Sequence, residues 1–177
     1  DSDVEFRTLK GYPVLTTVGR VSTRKGQLEV IKILPDLIND YPELQYHCIG
    51  IPSESEDFLA IAQSLGISSH ITFHGAVNDG DLKGALKNTD IFVMLSAESK
   101  TGDVEGFGIA ILEANAMGIP AIGSKGCGIE DAIGDGVTGF LIDGQDSLAF
   151  KLSITTILKN KNTFKLVLFT PEIREIP

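Results

Sequence analysis

The sequence predicts an α/β sandwich of three layers, in which a roughly six-stranded parallel sheet lies between helices. Short apolar runs rich in β-branched residues alternate with helix-like stretches through most of the 177 residues, which is the pattern of repeated β-α units. Glycine, with asparagine or aspartate, punctuates the boundaries between them, as strand-to-helix turns require. A hydrophobic fraction of 42% suffices to fill one buried core in a chain of this length.

The elements follow in order. A first strand is predicted at Pro13 to Val18, then a helix from Lys25 to Asn39. Pro35 should bend or shorten that helix, because proline lacks the N–H and crowds the preceding turn. A second strand at Leu44 to Gly50 leads to a helix at Glu54 to Leu65, which Gly66 closes as a left-handed cap. The third strand, His70 to Phe73, precedes a helix at Asp79 to Asn88, and the fourth, Ile91 to Leu95, precedes one at Gly108 to Met117. The fifth strand is Pro120 to Gly123, followed by a helical stretch at Ile129 to Ile133 and a turn at Gly134-Asp135-Gly136. The sixth strand, Gly139 to Ile142, is followed by a helix after Asp146. Residues 1–12 read as a linker from a missing amino-terminal domain and 13–159 as the folded domain. Residues 160–177 form a tail that fits no further β-α unit.

Composition excludes several functions. The formal net charge is -9, from 15 basic against 24 acidic residues, which argues against binding nucleic acid or an acidic membrane surface. Any anion site must therefore be local, and the cations cluster once near the start, at Arg20, Arg24 and Lys25. Cys48 and Cys127 lie far apart and form no Cys-x-x-Cys pair. They point to a reducing, cytoplasmic setting and to neither zinc nor a disulfide framework. No apolar run approaches the roughly 18 to 20 residues that span a bilayer, and the charged start DSDVEFRTLKG is not signal-like.

In parallel sheets of this kind ligands sit beyond the carboxyl ends of the strands, and two of the loops there stand out. The first strand runs into Gly19-Arg20-Val21-Ser22-Thr23-Arg24-Lys25-Gly26. Gly19 permits a tight turn, Arg20 offers a planar fork to phosphate oxygens, and Lys25 places a point charge at the positive end of the next helix. Helix starts ordinarily favour acids, so cations there suit a bound diphosphate. The alternative is that Arg24 and Lys25 are solvated loop residues.

The second is Glu105-Gly106-Phe107-Gly108-Ile109-Ala110-Ile111-Leu112-Glu113, whose helix is apolar on nearly every face and so reads as buried. A buried ionised Glu113 must pair with a cation or face a ligand's hydroxyls. Gly106 and Gly108 flank the helix start, where free backbone amides can meet an anion or a sugar hydroxyl if no side chain blocks the approach. Glu105 stands about two turns from Glu113, so both carboxylates can border one pocket. The alternative is a buried salt bridge for Glu113 and a surface position for Glu105.

With these residues in hand, the sequence resembles the carboxy-terminal, donor-binding domain of the retaining GT-B glycosyltransferases of group 1, or family 4. These include bacterial capsule, lipopolysaccharide and phosphatidylinositol glycosyl- and mannosyltransferases. The resemblance runs from about Val14 to Ile142. Its most specific element is the glutamate pair around Gly-Phe-Gly, Glu105 and Glu113, continuing as Glu-Ala-x-Ala-x-Gly-x-Pro to Pro120. Gly19-Arg20 with Lys25-Gly26, Phe73-x-Gly75, Gly126-x-Gly128-x-Glu130 and Asp135-Gly136-x-x-Gly139 support it.

The resemblance implies a Rossmann-like half of a two-domain enzyme that moves a hexose-type sugar from a nucleoside-diphosphate sugar, a UDP or GDP sugar, to a glycan or lipid-linked acceptor. It implies that Arg20 and Lys25 hold the diphosphate beside Gly19 and that Glu113 bonds the ribose hydroxyls. Glu105 would act at the donor sugar, the amides of Gly106, Phe107, Gly108 and Ile109 would meet sugar and phosphate, and Gly75 and Val77 would lie against the base. No metal and no cofactor are implied. The acceptor site belongs to the missing domain, and the full-length protein is expected to be cytoplasmic or peripheral at the membrane. The loop Ser96 to Val104 is longer than the commonest family version, and Asn115 stands where methionine is frequent. A nucleotide-sugar epimerase domain and a non-catalytic nucleotide-binding module are the alternative functions. His47, His70 and His74 lack ligand spacing and read as structural, and Cys127, in Gly126-Cys127-Gly128, reads as a loop residue.

Overall fold

The structure, a computed structural model, describes residues 9–97 and 108–164. Six strands form one parallel sheet: β1 (Val14–Val18), β2 (Gln45–Ile49), β3 (Ile71–Gly75), β4 (Ile91–Met94), β5 (Ala121–Ser124) and β6 (Gly139–Ile142). Their order is β3-β2-β1-β4-β5-β6. The register is set by pairs such as Leu15 with Tyr46 and Leu15 with Ile91. All six strands fall where the sequence places them, with ends shifted by a residue or two.

Helices cover both faces, which is why the strands read as nearly continuous apolar runs. On one face α1 (Gln27–Asp40), α2 (Ser55–Ser64) and α5 (Ser147–Lys159) bury Leu15, Tyr46, Cys48, Ile91, Val93 and Ile122. On the other, α3 (Asp79–Lys87) and α4 (Ile109–Ala116) pack on Phe92, Met94 and Ala121 and on Val14 and Ile49. Asn78 caps α3, its side chain accepting from the Asp81 N–H at 2.9 Å, and Asp146 caps α5 in the same way through Ala149.

Three local expectations meet different outcomes. The first helix is not shortened at Pro35 and runs on to Asp40. Val30, Ile31, Leu34 and Leu37 are fully buried along its inner stripe, and burial at about 1.5–3 kcal/mol per side chain offsets a proline cost of about 3 kcal/mol. The stretch at 129–133 is only a 3-10 turn, Glu130–Ala132. Gly66 has the left-handed conformation expected of it, with φ 72°. Beyond α5 a short helix α6 (Lys161–Phe164) lays Phe164 against Phe140, ring centroids 5.5 Å apart. Lys161 reaches Asp90 at 2.6 Å and lies 4.5 Å over the Tyr12 ring. Among the described residues no helix is long and apolar enough to cross a membrane.

The order of strands reverses at β1, which pairs with β2 on one side and β4 on the other. A crevice opens at such a reversal, outside the carboxyl ends of the two strands that part there. The loops after β1 and β4 border it.

Candidate functional site at the carboxyl ends of β1 and β4

The loop after β1 continues the sheet for a short distance. The Gly19 N–H donates to the Ile49 carbonyl and the Val21 N–H to the Ile51 carbonyl, each at 2.8 Å. Between them Arg20 projects outward, exposed, and its guanidinium donates to Ser53 Oγ at 3.2 Å. Lys25 folds back over Gly19: a Cβ at position 19 would lie 3.5 Å from Lys25 Cε and 3.8 Å from Nζ. Arg20 and Lys25 are thus brought to the same loop.

Loops after three strands are tied together here. Residues Thr23–Lys25 make one 3-10 turn, and the Glu54 carboxylate accepts from the Thr23 N–H at 2.9 Å and from its hydroxyl at 2.8 Å. Gly26 is left-handed, φ 79°, and so close to β4 that a Cβ would fall 2.0 Å from the Leu95 carbonyl oxygen. The Ala97 N–H then donates to the Arg24 carbonyl at 3.0 Å. A cleft of about 350 Å³ opens beside this junction, lined by Thr23, Ser96, Ser124, Lys125 and Asp143 among others. Among the described residues the Ser96 hydroxyl is buried there without a hydrogen-bond partner.

On the β4 side α4 departs from expectation. Only Ile111 and Ala114 are buried in it, Ile109 is 68% exposed, and Glu113 is exposed. The prediction of a helix buried on every face, with Glu113 interrupting it, is corrected: α4 lies in an outer layer and turns one side away from the sheet. Glu113 sits one turn from the helix start and makes no ion pair among the described residues. Gly108 is the left-handed N-cap, φ 67°. A Cβ there would stand 3.1 Å from Ala132 Cβ and 3.4 Å from Ile129 Cγ2. Backbone conformation and close packing therefore already favour glycine here. Glu105, Gly106 and Phe107 lie outside the described residues, as does the loop from Lys100 to Val104 with Glu98 and Ser99.

At the end of β3, Gly75 is left-handed with open space where a side chain would stand, and its carbonyl accepts from the Gly50 N–H at 2.8 Å. Val77 is half-buried against the small cluster of Leu9, Val14, Ile49 and Ala85. His47 Nδ1 and His74 Nε2 are hydrogen-bonded at 2.9 Å. Burial first, then the neighbouring imidazole, lowers His47 from 6.5 to about 4, and burial lowers His74. His70 Nδ1 is bonded to the Leu44 carbonyl at 2.8 Å. All three are engaged within the fold, as predicted. Burial pushes the Cys48 thiol up to about 12, and Cys127 is a buried loop residue whose Sγ lies 3.3 Å from Ser124 Oγ. Among the described residues no group of three or more His, Cys, Asp or Glu is placed to hold a metal ion.

Sequence reasoning missed Ser53, Glu54 and Gln27. The first two follow β2, whose loop belongs to the ligand edge, and that position was the available signal. Gln27 gave none beyond being a glutamine where an inward-facing helix begins.

A parallel sheet ordered 3-2-1-4-5-6, with a cation-bearing glycine loop at its reversal, defines a Rossmann-like domain. The chain belongs to the glycosyl transferases group 1 family, whose profile matches residues 2–166. It is 30% identical over 164 residues to the GDP-mannose-dependent alpha-(1-6)-phosphatidylinositol monomannoside mannosyltransferase of Mycolicibacterium smegmatis, covering 89% of this chain and 43% of that protein. It is 33% identical over 134 residues to the D-inositol 3-phosphate glycosyltransferase of an Arthrobacter species, covering 73% of this chain and 30% of the relative. The chain therefore spans less than half the length of these curated relatives. Among solved structures, Anabaena HepE in complex with UDP and glucose superposes with a TM-score of 0.72 at 23% identity, over 86% of this chain and 40% of that one. The C-terminal domain of the group 1 glycosyl transferase LpcC from Francisella tularensis gives 0.72 at 22%, over 89% and 82%. These likenesses show the fold, that of one half of a GT-B glycosyltransferase.

Proposed function

We propose that this chain is the donor-binding domain of a retaining glycosyltransferase. It would move a hexose-type sugar from a UDP or GDP sugar to a glycan or lipid-linked acceptor held by a second domain. The observation that carries the reading is the loop after β1, where exposed Arg20 and half-buried Lys25, the latter folded over Gly19, stand at the crevice where β1 and β4 part. Support for a nucleotide-sugar donor comes from the relatives, the first described as GDP-mannose-dependent, and for a lipid-linked acceptor from the phosphatidylinositol monomannoside in the same relative's name.

In this reading the chemistry is electrostatic. As the bond from sugar to diphosphate breaks, the sugar becomes oxocarbenium-like and negative charge collects on the leaving diphosphate. The Arg20 fork and the Lys25 ammonium hold that charge more strongly than they hold the ground state, which is what lowers the barrier. Glu113, one turn into α4 and exposed, accepts from the ribose hydroxyls. Glu105 supports the developing positive charge on the sugar, and the amides of residues 106–109 meet sugar and phosphate. Gly75, open on its side-chain side, lets the base lie flat beside Val77. No metal takes part.

Calorimetry of this chain against UDP, GDP and ADP tests the donor site. Binding of at least one is expected, and Lys25→Ala should weaken it about tenfold, the loss of one charge-assisted phosphate contact. No heat with any of the three would sink the reading. Transfer is tested with full-length protein by the appearance of a glycosylated acceptor, and retention by the anomeric configuration of the new linkage. An altered free nucleotide sugar would instead mark an epimerase.

A further inference from the structure

Gln27 is the first residue of α1 and is completely buried. An inward-facing position at a helix start is served by an apolar side chain at lower cost, because a buried amide must have both its ends hydrogen-bonded. Here both ends are used, and both on one segment of the loop after β1. Gln27 Nε2 donates to the Arg20 carbonyl at 3.1 Å, and Oε1 accepts from the Ser22 N–H at 3.3 Å. The residue between them is held from the other side, its N–H donating to the Ile51 carbonyl at 2.8 Å and its carbonyl accepting from the Glu54 N–H at 3.1 Å. Four consecutive polar groups of the backbone, from the Arg20 carbonyl to the Ser22 N–H, are thereby fixed, two of them by one side chain.

We infer that Gln27 is a positioning residue for the diphosphate site: its amide fixes the peptide segment from which Arg20 projects, so that the guanidinium is aimed before any ligand arrives. The inference rests on the donor reading of this loop and deepens it. Arg20 has one further hold, the Ser53 hydroxyl, which touches only the end of a long side chain. With the backbone set by Gln27, less freedom is lost on binding, and affinity rises without any added contact to the ligand. The amide is specific in this role. A glutamate keeps an acceptor for the Ser22 N–H and loses the donor to the Arg20 carbonyl, whereas a methionine fills the space and offers neither.

The test is calorimetry of the 177-residue chain with UDP and GDP, and with uridine and guanosine, which lack the phosphates. Gln27→Met is expected to bind the preferred diphosphate about tenfold more weakly, since a part-buried carbonyl and N–H lose their partner and the segment its hold, while affinity for the nucleoside stays unchanged. In an Arg20→Ala background the same change should cost nothing further, because its effect passes through Arg20. Should Gln27→Met fail to fold, as a melting curve reports, Gln27→Glu reads the same selectivity. Equal losses for nucleoside and diphosphate, or additive losses with Arg20→Ala, would make Gln27 a packing residue only and overturn the inference. So would wild-type diphosphate affinity in Gln27→Met alongside a weakened Arg20→Ala, and that result leaves the donor reading standing. A wild-type chain that binds no diphosphate removes the donor reading and Gln27's role together.

Discussion

The two halves of the sheet fix their ligand-side loops by different means. In the half made of β1, β2 and β3, polar side chains, several of them buried, clamp the backbone and each other. Gln27 holds residues 20 and 22, Glu54 holds Thr23, Thr17 Oγ1 bonds both Tyr46 Oη and the Val93 carbonyl, and His47 bonds His74. In the half made of β4, β5 and β6, apolar packing dominates, with Gly108 against Ala132 and Ile129, and Gly123 against Ile133 and Ile129. The bonds from Ser124 Oγ to the Ser96 carbonyl, from the Gly126 N–H to the Glu130 carboxylate and from the Gln145 N–H to the Asp143 carboxylate are polar exceptions. Hydrogen bonds are directional and packing is not, so the first half is suited to aiming charged side chains. The second is suited to holding a helix start at a fixed depth.

This contrast can be broken at the junction of the halves. Gly26→Ala places a methyl 2.0 Å from the Leu95 carbonyl oxygen, just past β4, at a left-handed φ of 79°. It should cost more than about 4 kcal/mol in urea unfolding, because the obstacle is backbone and cannot give. Acidification should strike the polar half next. The unfolded chain takes up a proton on histidine near 6.5, whereas buried His47 resists it until about 4. The stability present above 6.5 is therefore lost as pH falls towards 4, by about 3 kcal/mol. His47→Asn should flatten that part of the stability curve, and a slope left unchanged would show that the histidine pair is not its source. The smallest effect is expected in the apolar half. Gly108→Ala meets only side chains, the nearest at 3.1 Å, and should cost about 1–2 kcal/mol, mainly for its positive φ.

The sheet was legible from the sequence because strands buried on both faces leave unmistakable apolar runs, as Ile91 to Met94 does. The loop bearing Arg20 and Lys25 was legible too, since cations at a helix start are unusual enough to need a reason. Glu113 was misread as buried because Ile109, Ala110 and Leu112 around it look like core residues. Periodicity carries no information about which outward side a layer leaves open, and Ile109 is 68% exposed. Gln27 was invisible for a different reason. Its partners are backbone atoms, and a backbone carbonyl or N–H has no letter in the sequence.

Thr17 and Val93 are 76 positions apart and share a hydrogen bond, and the segment between them folds into β2, β3 and their helices. The crevice has no precursor in any shorter stretch of chain: its two walls meet only when β1 closes that long excursion onto β4. Parallel pairings of such span are late and slow to form. On the proposed function, a partly folded chain consequently offers a nucleotide nothing to grip, and nucleotide binding would report that β1 has closed onto β4.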